Sequence, residues 1–283
     1  MKTIATLFVL IVTASSMFAG TMTDKEILLK LYKSTNGKNW TKQWDVSAPA
    51  NTWYGVTMQN DKVVSLNLSN NNLTGELPSE ITQLSNLQEL KLFKNVLTGN
   101  IPSSIGNLKS LRTLNLAFNK LSGKIPASIG NATALQSVEL YMNRLTGEMP
   151  VELGNLKQLT VLSLYNNELS GSIPDSLYGM SGLKILLLSS NKLTGKLSKE
   201  VANLSSLENL SLFENNMDGQ VPFDLEKINS LKEMNISYNM FSGLVSRSLA
   251  QLDTLNMTMI NEQGVAAVLP VRADKNSALA SEE

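Results

Sequence analysis

Pairs of apolar residues, set two positions apart, recur along most of this chain, and each pair is followed three residues later by asparagine. The residue between the two is polar in seven of the eight pairs. Alternation with a period of two predicts a short strand whose apolar side chains share one face. The pairs are Leu66/Leu68, Leu90/Leu92, Leu114/Leu116, Val138/Leu140, Leu162/Leu164, Leu186/Leu188, Leu210/Leu212 and Met234/Ile236.

The eight asparagines lie 24 residues apart without interruption, and we expect each one to turn the chain at the end of its strand. A fixed period in this range predicts a solenoid in which each repeat is one stacked unit. The asparagine amides would satisfy main-chain groups inside the turns and form a ladder from coil to coil. The predicted ladder consists of Asn71, Asn95, Asn119, Asn143, Asn167, Asn191, Asn215 and Asn239.

The residues after each asparagine carry a second pattern, which in the third unit reads Leu121, Gly123, Ile125 and Pro126. Gly-Asn-Leu triplets also stand at 106–108 and 154–156. These motifs resemble the plant-type, 24-residue leucine-rich repeat over about residues 60–270. The resemblance implies an α/β solenoid, namely a right-handed leucine-rich-repeat superhelix with a concave parallel β-sheet. It also implies convex 3-10 or extended segments and a helical N-terminal cap.

Residues 1–19 are predicted to be a signal peptide, because Lys2 precedes the apolar run 4–12 and small residues follow it. The run is too short to span a bilayer of roughly 30 Å, so we expect a secreted or periplasmic protein without a transmembrane anchor. The chain has no cysteine. Because plant relatives usually carry disulfides in their caps, this absence favours a bacterial secreted protein.

The remaining chain is divided into an N-terminal cap (20–59), eight repeats (60–247), a degenerate ninth repeat or C-terminal cap (248–270) and a disordered tail (271–283). Thr23 and Glu26 have the spacing of a capping box at a helix start. In the ninth unit Gln263 replaces the asparagine. All three tryptophans, Trp40, Trp44 and Trp53, lie in the cap. They are either a surface for stacking sugars or a cover for the first coil, and the second interpretation is favoured.

Composition narrows the possible functions. Lys plus Arg equals 24 and Asp plus Glu equals 24, so the chain lacks the positive field that nucleic-acid binding requires. With neither histidine nor cysteine, the commonest general base and the soft metal ligands are missing. We therefore expect no enzyme activity, no cofactor, no metal and no nucleic-acid partner.

Two groups of side chains are predicted on the solvent side of the concave sheet. Rigid exposed aromatics are common binding hot spots, but rings in one column also pack against each other between coils, and the sequence leaves both interpretations open. The first group, the aromatic strip, contains Phe93, Phe118, Tyr141, Tyr165, Phe213 and Tyr238. The second, the apolar patch, contains Ile185 and Leu187.

The sequence therefore predicts a non-catalytic, secreted recognition module that binds a protein, peptide or glycan through its concave face. The resemblance to plant-type leucine-rich repeats implies such a role, because secreted proteins with these repeats act as receptors, adhesins or inhibitors of cell-wall enzymes. The alternative is a structural or surface-active protein, of the ice-binding or matrix and adhesion type, which would use regular arrays of polar residues.

Overall fold

The computed structural model describes residues 22–272 except 254, 256 and 262. The predicted signal peptide and residues 273–283 of the predicted tail lie outside the described residues. The tail was predicted to begin at residue 271, but Val271 forms a bridge with Val245, so the folded chain extends at least to that position.

The N-terminal cap begins with helix α1, Asp24–Ser34, and the predicted capping box is confirmed. The Thr23 hydroxyl accepts a hydrogen bond from the Glu26 amide, and the Glu26 carboxylate accepts one from the Thr23 amide at 2.7 Å. Two 3-10 turns, Gly37–Asn39 and Ala50–Thr52, connect α1 to an antiparallel hairpin formed by Val56–Gln59 and Lys62–Asn67. The sheet was expected to be parallel throughout, and this hairpin is the exception because its first strand belongs to the cap.

The three tryptophans of the cap are buried, each at most 4% exposed. Trp44 stacks on Trp53 with ring centroids 4.7 Å apart, and Trp40 meets Trp44 edge-on at 4.8 Å. Each indole N–H donates to a main-chain carbonyl at 2.8 Å. The rings cover the start of the stack with their polar atoms satisfied, so they offer no face for stacking a sugar.

The concave sheet has nine strands, and from its second strand onward neighbouring strands are parallel with a register of one repeat. Leu90, for example, lies opposite Leu66 and Leu114. The paired apolar residues point inward and are almost fully buried, each contributing roughly 1.5–3 kcal/mol. After the hairpin, the strands are Glu89–Lys91, Thr113–Asn115, Ser137–Glu139, Val161–Ser163, Ile185–Leu187, Asn209–Ser211 and Glu233–Asn235.

The segments after the asparagines pair into a second parallel sheet, which we call the lateral sheet, where the repeat resemblance implied only extended or 3-10 segments. Gly75 shows why glycine is needed there, since its φ is +88° and a Cβ would lie 2.4 Å from the Ser34 carbonyl oxygen. A separate pair, Thr74–Glu76 and Val96–Thr98, precedes six joined strands. These are Ser122–Gly123, Arg144–Glu148, Glu168–Gly171, Lys192–Lys196, Asn216–Gln220 and Met240–Ser242.

The convex side consists mainly of short 3-10 turns, most of which begin after a proline. Serine replaces proline at positions 198 and 246, which predicts a looser turn, but both turns are well formed. Ser198 accepts a hydrogen bond from the Glu200 amide at the start of a 3-10 turn, and Ser246 caps helix α2, Arg247–Leu252. The 3-10 turns are Ser79–Gln83, Ile105–Asn107, Ala127–Asn131, Val151–Asn155, Asp175–Gly179, Lys199–Asn203 and Phe223–Lys227.

The residue before each repeat asparagine adopts a left-handed conformation, a feature that the repeat pattern does not predict. Its φ lies between 51° and 58° in all eight coils, although none of the eight is glycine. Such a conformation costs about 1–3 kcal/mol unless the surroundings hold it. None of the residues is β-branched, in keeping with the steric limits of this region. They are Asn70, Lys94, Phe118, Met142, Asn166, Ser190, Glu214 and Tyr238.

The asparagine side chain supplies hydrogen bonds at this turn. Asn143 Nδ2 donates to the Leu140 carbonyl of its own coil at 2.9 Å and to the Leu116 carbonyl of the preceding coil at 3.1 Å. Its Oδ1 accepts from the Leu121 amide, also of the preceding coil, at 3.0 Å. The same three contacts recur at Asn95, Asn119, Asn167, Asn191, Asn215 and Asn239. The coils are thus linked through the main chain of the preceding coil, rather than by bonds between successive amides.

The two ends of the array use different partners. Asn71, in the first coil, accepts from the Lys42 amide and donates to the Lys42 carbonyl, so it joins the stack to the cap. At the other end, buried Asp253 accepts from the Ile236 amide at 2.8 Å and from the Ser237 hydroxyl at 3.0 Å. The segment predicted as a degenerate ninth repeat then forms an antiparallel hairpin, Thr258–Ile260 with Ala266–Val268, instead of a further coil.

No helix in the described part of the chain is long and apolar enough to cross a membrane.

Replacing Asn143 by alanine should lower the free energy of unfolding by about 1–3 kcal/mol, because two carbonyls and one amide lose their partner inside the turn. Exposed Asn39 in the cap provides the control, and its alanine variant should unfold close to the wild type. Chemical denaturation of the three proteins gives the comparison. Equal midpoints for the Asn143 and Asn39 variants would show that the asparagine contacts do not stabilise the fold.

Candidate functional site

The six residues of the predicted aromatic strip lie along one border of the concave sheet. Two columns supply them. Phe93, Tyr141, Tyr165 and Phe213 are half-buried, and each follows the second inward leucine of its strand. Phe118 and Tyr238 occupy the left-handed position next to it and are 41% and 42% exposed. The left-handed turn therefore places these two rings at the more exposed edge of the strip.

The first four rings form one continuous group. Tyr141 stacks on Tyr165 with centroids 4.5 Å apart and an interplanar angle of 8°. Phe93 contacts Tyr141 at 6.3 Å and Phe118 at 6.2 Å. The intervening coil has Ala117 in this column, fully buried, which lets the rings on either side approach each other. Packing between coils therefore holds these rings in place while their remaining surface faces solvent.

Ser189 interrupts the strip. Phe213 and Tyr238 form a separate edge-to-face pair at 5.2 Å on the far side of this serine. The Ser189 hydroxyl lies 2.5 Å from the hydroxyl of Ser211 in the next coil. A missing ring thus leaves a small polar surface between two aromatic groups.

This gap is part of a concave depression of about 420 Å³, which we call the serine notch. The predicted apolar patch meets the notch at Leu187, while Ile185 lies in the adjoining groove beside Asn209. Both patch residues are half-buried. The notch lining combines one ring, an aliphatic floor and short polar groups: Tyr165, Leu187, Ser189, Asn209, Leu210, Ser211, Glu233, Met234 and Asn235.

Three carboxylates lie in or near the notch, and Glu233 is the one that lines it. Asn209 donates to the Glu233 carboxylate at 2.6 Å, and the Ser190 hydroxyl donates to the Glu214 carboxylate at 2.6 Å. Glu139 lies on the other side, one strand away from Ser163.

The phenols of the stacked tyrosines are more difficult to ionise than usual. Partial burial is the main cause of the raised pKa of both Tyr141 and Tyr165. The negative charge of Glu139 raises the pKa of both further, and for Tyr141 the neighbouring phenol of Tyr165 adds to it. Both side chains are therefore neutral hydrogen-bonding groups at ordinary pH.

One polar atom at the centre of this surface is unsatisfied. The Ser163 hydroxyl is buried, and it has no hydrogen-bond partner among the residues that the structure describes. Ser163 lies between the inward-facing Leu162 and Leu164, so its side chain points to the concave side. Its neighbours on the adjacent strands are Glu139 and Leu187.

Sequence reasoning found the rings and the apolar patch but not the notch or the unsatisfied serine. The sequence shows Ser189 as a position without a ring in the aromatic column. The depth of the depression at this position depends on residues of the neighbouring strands. The structure brings Tyr165 and Leu187 to one depression, whereas Phe93 and Phe118 lie three and two coils before Tyr165. Within the described ranges, no group of three or more histidine, cysteine, aspartate or glutamate side chains is arranged so that it could hold a metal ion.

The lateral sheet carries a more regular polar column, three residues after each asparagine. Seven of its eight members are serine or threonine. The columns on both sides are irregular, and they include charged pairs such as Lys192 with Glu168 at 2.9 Å. The uniform column is Thr74, Thr98, Ser122, Thr146, Ser170, Thr194, Asp218 and Ser242.

Models of leucine-rich repeats match residues 62–84, 86–108, 110–132, 133–193, 157–217 and 230–252. Together these segments cover more than half of the chain. The chain belongs to the leucine-rich-repeat family. Its strand register, inward leucines and 3-10 turns are those of the leucine-rich-repeat solenoid.

This leucine-rich-repeat chain is similar to plant proteins. A probable leucine-rich repeat receptor-like protein kinase of Arabidopsis thaliana is 40% identical over 78 residues, which is 22% of this chain and 8% of the kinase. The plant peptide hormone receptor RGFR1, solved in complex with RGF2, is 30% identical with a TM-score of 0.64, covering 73% of this chain and 32% of the receptor. The chain thus spans a small part of these relatives. The expected bacterial origin finds no support in them.

A plant ice-binding protein has the same fold. Its structure matches with a TM-score of 0.61 and covers 89% of this chain and 98% of its own, at 22% identity. At that identity the likeness concerns the solenoid and carries no information about function.

The electrostatic influence of Glu139 on the tyrosine pair can be measured. Changing Glu139 to glutamine should move the ionisation of Tyr141 and Tyr165 to lower pH, because one cause of their raised pKa is removed. Raised pKa values mean that the folded protein holds these protons more tightly than the unfolded chain does. The two tyrosines therefore contribute to the free energy of unfolding below the pKa of an unfolded tyrosine, which is about 10. This contribution is lost as pH rises through the pKa of the tyrosines in the folded protein.

Ultraviolet absorbance titration follows the phenolates directly. The control is Glu76→Gln, which removes the same charge from the lateral sheet and should leave the titration curve unchanged. Superimposable curves for the Glu139 variant and the wild type would contradict the assigned cause.

Proposed function

We propose that this chain is an extracellular, non-catalytic recognition module that binds a peptide or protein segment through its concave face. The observation that carries the proposal is the aromatic strip, whose rings are fixed by contacts between coils while part of each ring stays open to solvent. A ring that is already ordered loses little conformational entropy when a ligand packs on it.

The two interpretations of the strip are compatible. Packing between Tyr141 and Tyr165 contributes roughly 0.5–1.5 kcal/mol to the stack beyond area burial. The same packing presents a rigid, amphipathic surface of the kind found at binding hot spots. Stability and recognition therefore draw on the same side chains, and an experiment has to measure both.

The family supports binding more than catalysis. The receptor RGFR1 is named as a peptide hormone receptor and was solved with RGF2 on a leucine-rich-repeat fold shared with this chain. We extend ligand binding to this chain, together with secretion through residues 1–19 and assignment of its repeats to the plant-type, 24-residue class. An oligosaccharide stacked on the rings is the alternative occupant, because sugars also pack on exposed aromatic faces.

A ring-truncation experiment tests the proposal. The double variant Tyr141→Ser with Tyr165→Ser should lose about 2 kcal/mol or more of binding energy for a partner captured from extracellular fluid, roughly thirtyfold in affinity. Serine already occupies the same column at 69, 189 and 237, so the coils accept it. Affinity is measured on the folded fraction after the unfolding curve of each protein has been recorded.

The matched control removes two exposed rings elsewhere, Tyr54 in the cap and Phe223 on the convex side, which are 48% and 50% exposed. Their double serine variant should bind like the wild type. Lower stability of the concave variant with unchanged affinity would reduce the strip to packing and overturn the proposal.

The surface-active alternative draws on the regular serine and threonine column of the lateral sheet. Two features count against it. The neighbouring columns are irregular and carry opposite charges, and the concave face is aromatic rather than uniformly polar. We therefore expect no thermal hysteresis and no shaping of ice crystals by the purified protein. Observing either would favour the alternative.

A further inference from the structure

Charge is distributed unevenly along the concave face. From the strand of Glu139 to that of Tyr238, the outward positions include three glutamates and neither lysine nor arginine. Lys184 and Lys232 flank this region, but both contact Glu208 at its margin. In the first three coils, by contrast, Glu89 pairs with Lys91 at 2.9 Å. The half that contains the serine notch is therefore the acidic half.

The unsatisfied Ser163 hydroxyl is a second and independent observation in the same place. A buried hydroxyl without a partner costs about 1–3 kcal/mol in protein mutational data, so a ligand that supplies a donor recovers part of that free energy. It lies beside Glu139, whose half-exposed side chain can rotate to admit such a donor. A guanidinium group has several N–H donors and no acceptor, which suits a hydroxyl beside a carboxylate.

We propose that the occupant of the concave face is an extended cationic peptide segment, with one basic side chain at Glu139 and Ser163 and an adjacent apolar side chain in the serine notch. This rests on the proposed function and specifies the chemistry of its ligand. Charge complementarity fixes the sign of the peptide, and the rings and the notch fix its position.

Each part of the surface has a defined role in this arrangement. Stacking covers one face of each of the rings of Tyr141 and Tyr165, and the outer face of the pair carries the negative π-density to which a cation is attracted. Glu139 accepts charge-assisted hydrogen bonds, while Glu233 in the notch lining and Glu214 favour a second cation. Leu187 and the side of Tyr165 contact the apolar side chain. An uncharged oligosaccharide could use the rings but would not require the carboxylates.

The test uses a defined probe, a short peptide of alternating arginine and leucine with blocked termini and a fluorescent label. Fluorescence anisotropy gives its affinity for the purified chain. The comparison peptide carries citrulline in place of arginine, which keeps the shape and removes the charge. We expect the affinity of the arginine peptide to be at least about tenfold higher than that of the citrulline peptide.

Two sets of variants separate specific binding from general attraction. Neutralising the notch region with Glu139→Gln, Glu214→Gln and Glu233→Gln should weaken the arginine peptide about tenfold. The same three changes on the lateral sheet, Glu76→Gln, Glu148→Gln and Glu168→Gln, alter net charge equally and should have little effect. Equal losses for the two sets would mean unspecific attraction and would overturn the proposal.

The notch is tested without a change of charge. Ser189→Phe fills it with a ring that this column already holds at Phe93 and Phe213. We expect this variant to weaken the arginine–leucine peptide but to leave a peptide of alternating arginine and glycine unaffected. Unchanged binding of the arginine–leucine peptide would overturn the assignment of the apolar side chain to the notch.

The substitution Ser163→Ala is expected to affect the free energy of unfolding and the affinity for the arginine peptide in different directions. Removing an unpaired buried hydroxyl should leave the free protein equally or more stable, whereas the arginine peptide should bind several-fold more weakly. A purely structural role would lower stability or change neither quantity, and either result would overturn the role assigned to Ser163.

Failure of this inference is distinguishable from failure of the proposed function. If the ring-truncated variant loses its natural partner while the arginine peptide never binds, the module binds ligands but the cationic class is wrong. If partner capture does not depend on the rings, the proposed function itself fails, whatever the synthetic peptides do.

Discussion

The structure depends on satisfying the main chain at the turn that ends every strand of the concave sheet. Each turn places a residue other than glycine in the left-handed region and leaves carbonyls and an amide inside the stack. One asparagine per coil bonds to those groups in its own coil and in the one before it. Because two of the three partners lie in the preceding coil, every repeat must keep the same length, and the constancy of the 24-residue spacing follows from that requirement.

A fixed register assigns different duties to the columns of the repeat. The inward leucines are constrained by packing and differ little between coils, while the outward residues of the concave sheet are free to vary. Variation is concentrated there in rings, carboxylates and short polar groups, which gives the surface its chemical character. The same separation explains why the family is certain from the inward columns although they contain no information about a ligand.

The two ends of the stack need other hydrogen-bond partners, because the first and last coils each lack a neighbouring coil on one side. Buried tryptophans and the backbone of Lys42 complete the first coil. Asp253 completes the last by accepting from the main-chain amide that would otherwise have no partner. Both caps replace the contacts of an absent coil, which is the general requirement of a solenoid.

The sequence by itself determined the repeat, its register, the buried leucines and the positions of the outward columns, because these follow from period and alternation alone. It did not determine the antiparallel first strand, the lateral sheet, the left-handed column or the hairpin at residues 258–268. Those depend on contacts between coils or with the caps, which a local pattern does not contain. The serine notch and the unsatisfied Ser163 hydroxyl belong to the same class: Ser189 and Leu187 are one coil's residues, but the depression exists only because Tyr165 and Asn209 lie on the strands beside them.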